Sequence, residues 1–276
     1  MLIALTQYFV GWVVETPELN EVKDCAIKVI VNLLLVQSWI PDSSYYFSLN
    51  GVSWYLSTSI VLYFSAPFLH RCIQKINSTK QKNYLILGVF ALQIAIAQRM
   101  AETEYLHAII YIHPLVRIFD FFTGMLLGSI YKNSKDGFRL AHRDWLEKVS
   151  LVSLAGTILL FPKVPEAFSY VVLSAPTAWL LICSFTQDKG AFSRLLSSSV
   201  PTFIGDISFE IFMVHRLVIS YWEYVQWISR RIMHKDILGS ISVVCVFAIS
   251  VAAAQVLHTA KIKMDRYIKD VVKHAN

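Results

Sequence analysis

The amino-acid sequence predicts an all-α integral membrane protein, a polytopic bundle of about eight transmembrane spans plus a partial N-terminal helix. Three observations carry this expectation. Of 276 residues, 55% are hydrophobic and 16% charged, against about 45–50% apolar and about 25% charged in a typical soluble domain. Water would leave such a surface under-solvated, whereas lipid would not. Apolar stretches of near-spanning length recur along the whole chain, and the mean hydropathy is +0.51. Seven Trp and 13 Tyr supply rings with one polar edge, which prefer the membrane–water boundary.

A spanning helix needs roughly 20 mostly apolar residues, with about 17 as the lower limit. Candidate spans run over 26–40, 51–69, 83–98, 112–131, 149–162, 167–185, 203–222 and 237–257. The stretch from Met1 to Val14 is too short to cross and reads as a partial or interfacial helix. It carries neither a basic leader nor a small-residue cleavage site, so no cleavable signal peptide is expected. No internal repeat is visible, and 1–276 reads as a single integral membrane domain. Its chemistry must lie inside the bundle or at its mouths.

Loop charge gives the expected orientation. The formal net charge is +6, and its basic residues gather in loops and the tail. Arg71, Lys75, Lys80 and Lys82 sit between His70 and Lys82 without an acid, and Lys132–Lys148 and Lys261–Lys273 are also basic. Basic loops stay on the cytoplasmic side, so these segments and the C-terminus are expected there. Arg99–His107, with Glu102 and Glu104, falls outside. Arg230, Arg231 and Lys235 run against this scheme. The basic balance therefore encodes topology and implies membrane lipid, with no nucleic acid, as partner. Cys25, Cys72, Cys183 and Cys245 stand singly, so neither a disulfide framework nor a metal site is indicated. No phosphate-binding glycine loop, H-E-x-x-H or G-x-S-x-G occurs, which leaves nucleotide hydrolysis, zinc proteolysis and α/β-hydrolase chemistry without support.

Ionisable residues within a span are costly and usually face a bundle interior or a wet cavity. In 112–131, His113, Arg117, Asp120 and Gly124 follow at spacings of four, three and four, and therefore share one helix face. Arg117 and Asp120 read either as the wall of a substrate cavity, with the cation binding an anion, or as a structural pair locking two helices. Gly124 and Gly128 form a G-x-x-x-G stripe that would let another helix approach closely. Later, Ser208, His215 and Trp222 are seven apart on one stripe, and Asp206 and Glu210 are four apart on another. His215 could carry a proton or simply pack, and Glu210 is a costly carboxylate in search of a partner. Gln37-Ser-Trp39-Ile-Pro41 and Asn50-Gly-Val-Ser53-Trp54-Tyr-Leu-Ser57 suggest an aromatic external mouth, although composition alone favours an interfacial aromatic belt.

At these residues the chain resembles acyltransferase family 3, whose members are membrane acyltransferases that commonly O-acetylate bacterial surface polysaccharides. Asn50–Thr58 with Tyr63-Phe-Ser-Ala-Pro67-Phe is similar to the family's S-W-x-L-S … F-P-x-L signature. His113-Pro-Leu-Val-Arg117-Ile-Phe-Asp120-Phe-Phe-Thr-Gly124-Met-Leu-Leu-Gly128 resembles its N-P-L-x-R-x-x-[DE]-F-x-x-G-x-x-x-G helix. Ile204–His215 resembles its late G-x-I-S-[FY] helix. The family's first helix, bearing an intramembrane His, and its Arg-x-x-Arg motif have no counterpart, since no His or Arg precedes Trp39. The resemblance therefore implies an N-terminally incomplete family member, with no residue here inheriting the role of that His.

The expectation is a multi-pass acyltransferase of a bacterial cytoplasmic (inner) membrane that moves an acetyl or similar group onto a hydroxyl of a polysaccharide or lipid-linked glycan. Acyl-CoA would be the donor, with no bound cofactor. Arg117, Asp120, Glu210, His215 and His113 are the candidate cavity residues, and Ser53 and Trp54 the acceptor-side residues. The alternative is a non-catalytic glycan or lipid transporter or scaffold.

Overall fold

The computed structural model describes residues 19–133, 143–186, 190–233 and 241–275, and among them helix is the only regular structure. The Met1–Val14 segment and most of the basic Lys132–Lys148 loop lie outside the described residues. Nine longer helices follow one another: α1 (Leu19–Leu33), α2 (Trp54–Gln74), α3 (Thr79–Met100), α4 (Pro114–Asn133), α5 (Arg143–Leu160), α6 (Glu166–Phe185, with a wide turn over Ser169–Leu173), α7 (Ser199–Asp206), α8 (Ser208–Met233) and α9 (Ser242–Ala275).

Among the described residues, five segments are long and apolar enough to cross a membrane: Thr79–Met100, Pro114–Asn133, Trp145–Lys163, Glu166–Phe185 and Ser242–Val271. That is fewer than the about eight spans expected from sequence. The differences have physical causes. The 26–40 stretch does not continue as helix, because α1 ends after 15 residues and the chain turns with Leu35 at φ 54°. Fifteen helical residues reach about 22 Å at a rise of about 1.5 Å each, short of the roughly 30 Å hydrocarbon core. The 203–222 stretch divides at Ile207 into α7 and α8. Helices α2 and α8 are long enough, with 21 and 26 residues. Their Ser57, Thr58, Ser59, His70 and Arg71, and Glu210, His215, Arg216 and Glu223, leave them too polar to qualify. The surface fits lipid: Phe64 is 81% exposed, Val243 77% and Val152 71%. The helical build and this apolar surface fit a membrane protein.

The chain forms two compact units. In the larger, comprising 19–48 and 53–197, apolar clusters fix the helices. Ile73, Ile86, Leu126 and Leu127 pack with Trp179, and Ala97, Ile110, Ala167 and Val171 pack with Phe90. Hydroxyls stitch α5 to α6, where Ser153 and Thr157 each hydrogen-bond Thr177 at 2.8 Å. Buried Lys82 donates from Nζ to Ser129 Oγ at 2.8 Å. Buried Glu147 accepts from the Phe192 amide at 3.0 Å and from the Ser193 hydroxyl. The smaller unit contains Leu49–Val52 with the chain from Ser198 onward; Ile207, Val214 and Ala254 form its core, and Asn50 Nδ2 donates to the Met213 carbonyl at 2.9 Å.

The glycine stripe of α4 is not used as the sequence implies. A Cβ at Gly124 or Gly128 would meet no atom within 4 Å among the described residues. The neighbours of α4 approach instead along the line of Thr123, Leu126 and Leu127, which are buried. Gly128→Ala is accordingly expected to be tolerated, with a gain of up to about 1 kcal/mol from the lower entropy cost of ordering Ala. Thermal unfolding in detergent checks this, and a large loss of stability would contradict it.

Candidate functional site

A break in the helical backbone builds the site. Pro114 opens α4 and offers no N–H to the turn before it. His113 takes the extended backbone, φ −65° and ψ 127°, that a residue before proline prefers. The preceding turn, Ala108–Ile112, is a wide one closed by the His113 amide on the Ala108 carbonyl at 2.8 Å. A continuous helix would give the Leu115 amide to Tyr111, but here it donates to His113 Nδ1 at 3.3 Å. Side chains satisfy the freed carbonyls. Arg117 Nε donates to Tyr111 O at 2.8 Å, and Thr58 Oγ1 donates to Ile112 O at 2.9 Å.

Arg117 is thereby locked in place. Its Nη1 donates to Asp120 Oδ2 at 2.6 Å, and its guanidinium lies 5.1 Å from the Tyr111 ring centroid. Asp120 is fixed in turn by Gln93, whose amide donates to Oδ1 at 2.8 Å. The cation remains 21% exposed as a side chain and the carboxylate 37%. The pair is structural, because it completes a broken backbone, and it holds a pre-oriented positive charge at a partly open position.

Around Tyr111 stands an aromatic cluster. Trp54 lies 5.0 Å from its ring, Tyr170 4.6 Å and His107 5.1 Å. Tyr46 and Phe47 lie 6.2 and 5.8 Å from the His107 ring. Burial raises the Tyr46 phenol above its ordinary value, so it stays protonated at neutral pH. His107 Nδ1 pairs with Glu166 Oε1 at 2.8 Å. Sequence reasoning had not singled out these two residues, which are 59 positions apart in different elements and belong to no spacing pattern.

The other predicted residues separate. Ser53 Oγ donates to Asn32 Oδ1 at 2.9 Å, and its carbonyl accepts from Gln37 at 3.0 Å. Ser57 bonds Ser38 and the Leu35 carbonyl, both at 2.6 Å. These serines hold the turn-rich segment between α1 and α2. Trp54 is buried with Tyr46, Ala108 and Ile112. His113 sets its ring edge-on to half-exposed Trp39 at 5.2 Å. In the smaller unit, Glu210 is buried and Oε1 accepts from His258 Nδ1 at 3.1 Å and Lys261 Nζ at 3.4 Å, which ties α8 to α9. His215 Nδ1 donates to the Phe212 carbonyl of its own helix at 2.6 Å.

The HPLVR–D stretch that builds this arrangement falls within a match to a known family, described as Acyltransferase domain, over residues 5–259. The chain belongs to acyltransferase family 3. Acyltransferase MdmB of Streptomyces mycarofaciens is 27% identical over 207 residues, which cover 70% of this chain and 51% of that protein. The acyltransferase family 3 chain thus spans about half the length of the curated relative it matches. No solved structure matches it.

Trp54→Ala should act through packing. A buried Trp truncated to Ala costs about 3–5 kcal/mol, and Trp54→Phe should cost much less. Thermal unfolding in detergent checks both, and an unchanged Trp54→Ala midpoint would show that the ring is dispensable to the fold.

Proposed function

We propose that this chain is the membrane core of an acyltransferase that moves an acetyl or similar acyl group from acyl-CoA onto a hydroxyl of a surface polysaccharide or lipid-linked glycan. Family membership and the curated relative, itself described as an acyltransferase, support the reaction class. The observation that carries the reading is the locked Arg117 guanidinium, held by Asp120 and the Tyr111 carbonyl against a cluster of aromatic rings.

Acyl transfer to a hydroxyl passes through a negatively charged tetrahedral oxygen. A cation fixed before the reaction stabilises that charge without reorganising as it forms. Its remaining N–H groups have no partner among the described residues and can face donor carbonyl or phosphate oxygens, and a guanidinium presents them in a planar fork. The aromatic rings beside it offer flat apolar faces on which the C–H face of a sugar can lie. In this reading the protein sits in a bacterial cytoplasmic membrane with its C-terminus in the cytoplasm, on the side where acyl-CoA is made.

The test is to express the full chain in a cell lacking any close relative and to look for base-labile O-acyl groups on surface glycans by mass spectrometry and NMR. The expected outcome is acylation that accompanies the chain and falls at least about 100-fold in Arg117→Ala. Arg117→Lys should not restore it fully, because an ammonium cannot reproduce the fork. A stably inserted chain that acylates nothing would overturn the reading in favour of a glycan or lipid scaffold.

A further inference from the structure

Helix α9 is longer than a bilayer is thick. Its 34 residues reach about 51 Å at about 1.5 Å each. The hydrocarbon core takes roughly 30 Å of that, and the whole bilayer with its headgroup layers about 40–45 Å. From Ser242 to Ala260 the helix carries no Lys, Arg, Asp or Glu and covers about 28 Å, enough for the core. Lys261 ends this stretch, its Nζ donating to Glu210 Oε1 of α8 at 3.4 Å. Every residue from Lys261 to Val271 is exposed. About 22 Å of helix thus continues past the apolar span.

This extension has two faces. At about 100° per residue, Met264, Tyr267, Ile268 and Val271 share one arc, and they are 60%, 70%, 52% and 49% exposed. Lys263, Arg266 and Lys269 share the opposite arc. Asp265 and Asp270 stand four positions from Lys269 and Arg266, a spacing at which an ion pair could close. Among the described residues none does. Water would thus face a bare apolar stripe on one side and unneutralised cations on the other. The helix holds neither Pro nor Gly, so nothing in it favours a sharp bend. A tilt of about 30°, within the common range, lays about 44 Å of it across the bilayer. The extension then lies in the headgroup layer, where acyl-chain ends meet the stripe and phosphates meet the cations.

We propose that the extension of α9 past Lys261 is a docking surface for anionic phospholipid. Lys263, Arg266 and Lys269 hold headgroup phosphates, and Met264, Tyr267, Ile268 and Val271 rest at the acyl boundary. Anionic lipid attracts Lys and Arg next to a span, and this end of the chain is the one that loop charge assigns to the cytoplasm. A second copy fits the face less well. The apolar stripe runs for about two heptads at most, short of the three or four that a paired coiled coil shows. Parallel copies would also bring their like charges together. This docking does not depend on acyl transfer.

The test follows amide hydrogen exchange along α9 in the full chain, reconstituted in nanodiscs of phosphatidylcholine alone or with phosphatidylglycerol added. Residues 261–271 are expected to exchange at least about tenfold more slowly with phosphatidylglycerol at low salt, and to lose that protection in concentrated salt. Replacing the three cations together, Lys263→Gln, Arg266→Gln and Lys269→Gln, should make exchange the same in both discs. Slow exchange over 242–260 shows that the variant is inserted. Protection that an inserted variant keeps would overturn the proposal. Exchange in the unchanged chain that does not respond to phosphatidylglycerol would overturn it as well, whatever the variant does. Inorganic phosphate added to phosphatidylcholine discs should leave residues 261–271 fast; slowing there would assign the cations to free phosphate and overturn the lipid surface. Protection confined to discs that hold two chains would assign the face to a second copy instead.

Discussion

The main-chain carbonyls released where Pro114 interrupts the helix have to find new donors, and the larger unit is organised around that need. A membrane interior offers no water to satisfy them. Arg117 answers for Tyr111 and Thr58 for Ile112, and each answer ties α4, or the turn before it, to something else. Arg117 brings Asp120, and through it Gln93 of α3. Thr58 brings the serine-rich start of α2, which in turn holds the segment after α1 through Ser57 and Ser53. A single backbone irregularity thus gathers four elements with polar contacts, and the charge it fixes is available for chemistry.

The same break turns aromatic rings inward. Residues 108–112 form a wide turn rather than a regular one, which sets Tyr111 over Trp54 and beside Tyr170 and His107. Rings supply a large contact area at fixed geometry. Trp54 is buried in this cluster and Phe47 is 42% exposed. Functional groups held in this way sit on a rigid base, which is how a reacting geometry is kept once a substrate arrives.

Three buried charged groups follow one rule, Glu147 and Lys82 in the larger unit and Glu210 in the smaller. Glu210 gains His258 and Lys261, Glu147 gains the Phe192 amide and the Ser193 hydroxyl, and Lys82 gains Ser129. A charge withdrawn from water is tolerable when its bonds are met. These groups are met by their own neighbours and hold helices together. Four buried atoms, Gln37 Oε1, His107 Nε2, Thr123 Oγ1 and Trp222 Nε1, have no hydrogen-bond partner among the described residues.

The sequence by itself determined the helical class, the membrane setting and the family. Each rests on composition or on residues a few positions apart: too few charges for a wetted surface, apolar runs of spanning length, and the HPLVR–D, W-Y-L-S and late I-S-F patterns. Helical periodicity also placed Arg117 beside Asp120, since residues three apart share a face. Only the tertiary structure decided what those side chains hold. Apolar content alone does not register the turn at Leu35 or the division at Ile207, so two of the expected spans do not run as continuous helix. Gly124 and Gly128 suit a close helix contact, but which face of α4 meets a neighbour depends on all the helices around it. The pairing of His107 with Glu166, and of Glu210 with His258, joins residues dozens of positions apart, and no local spacing encodes a contact made by folding distant helices together.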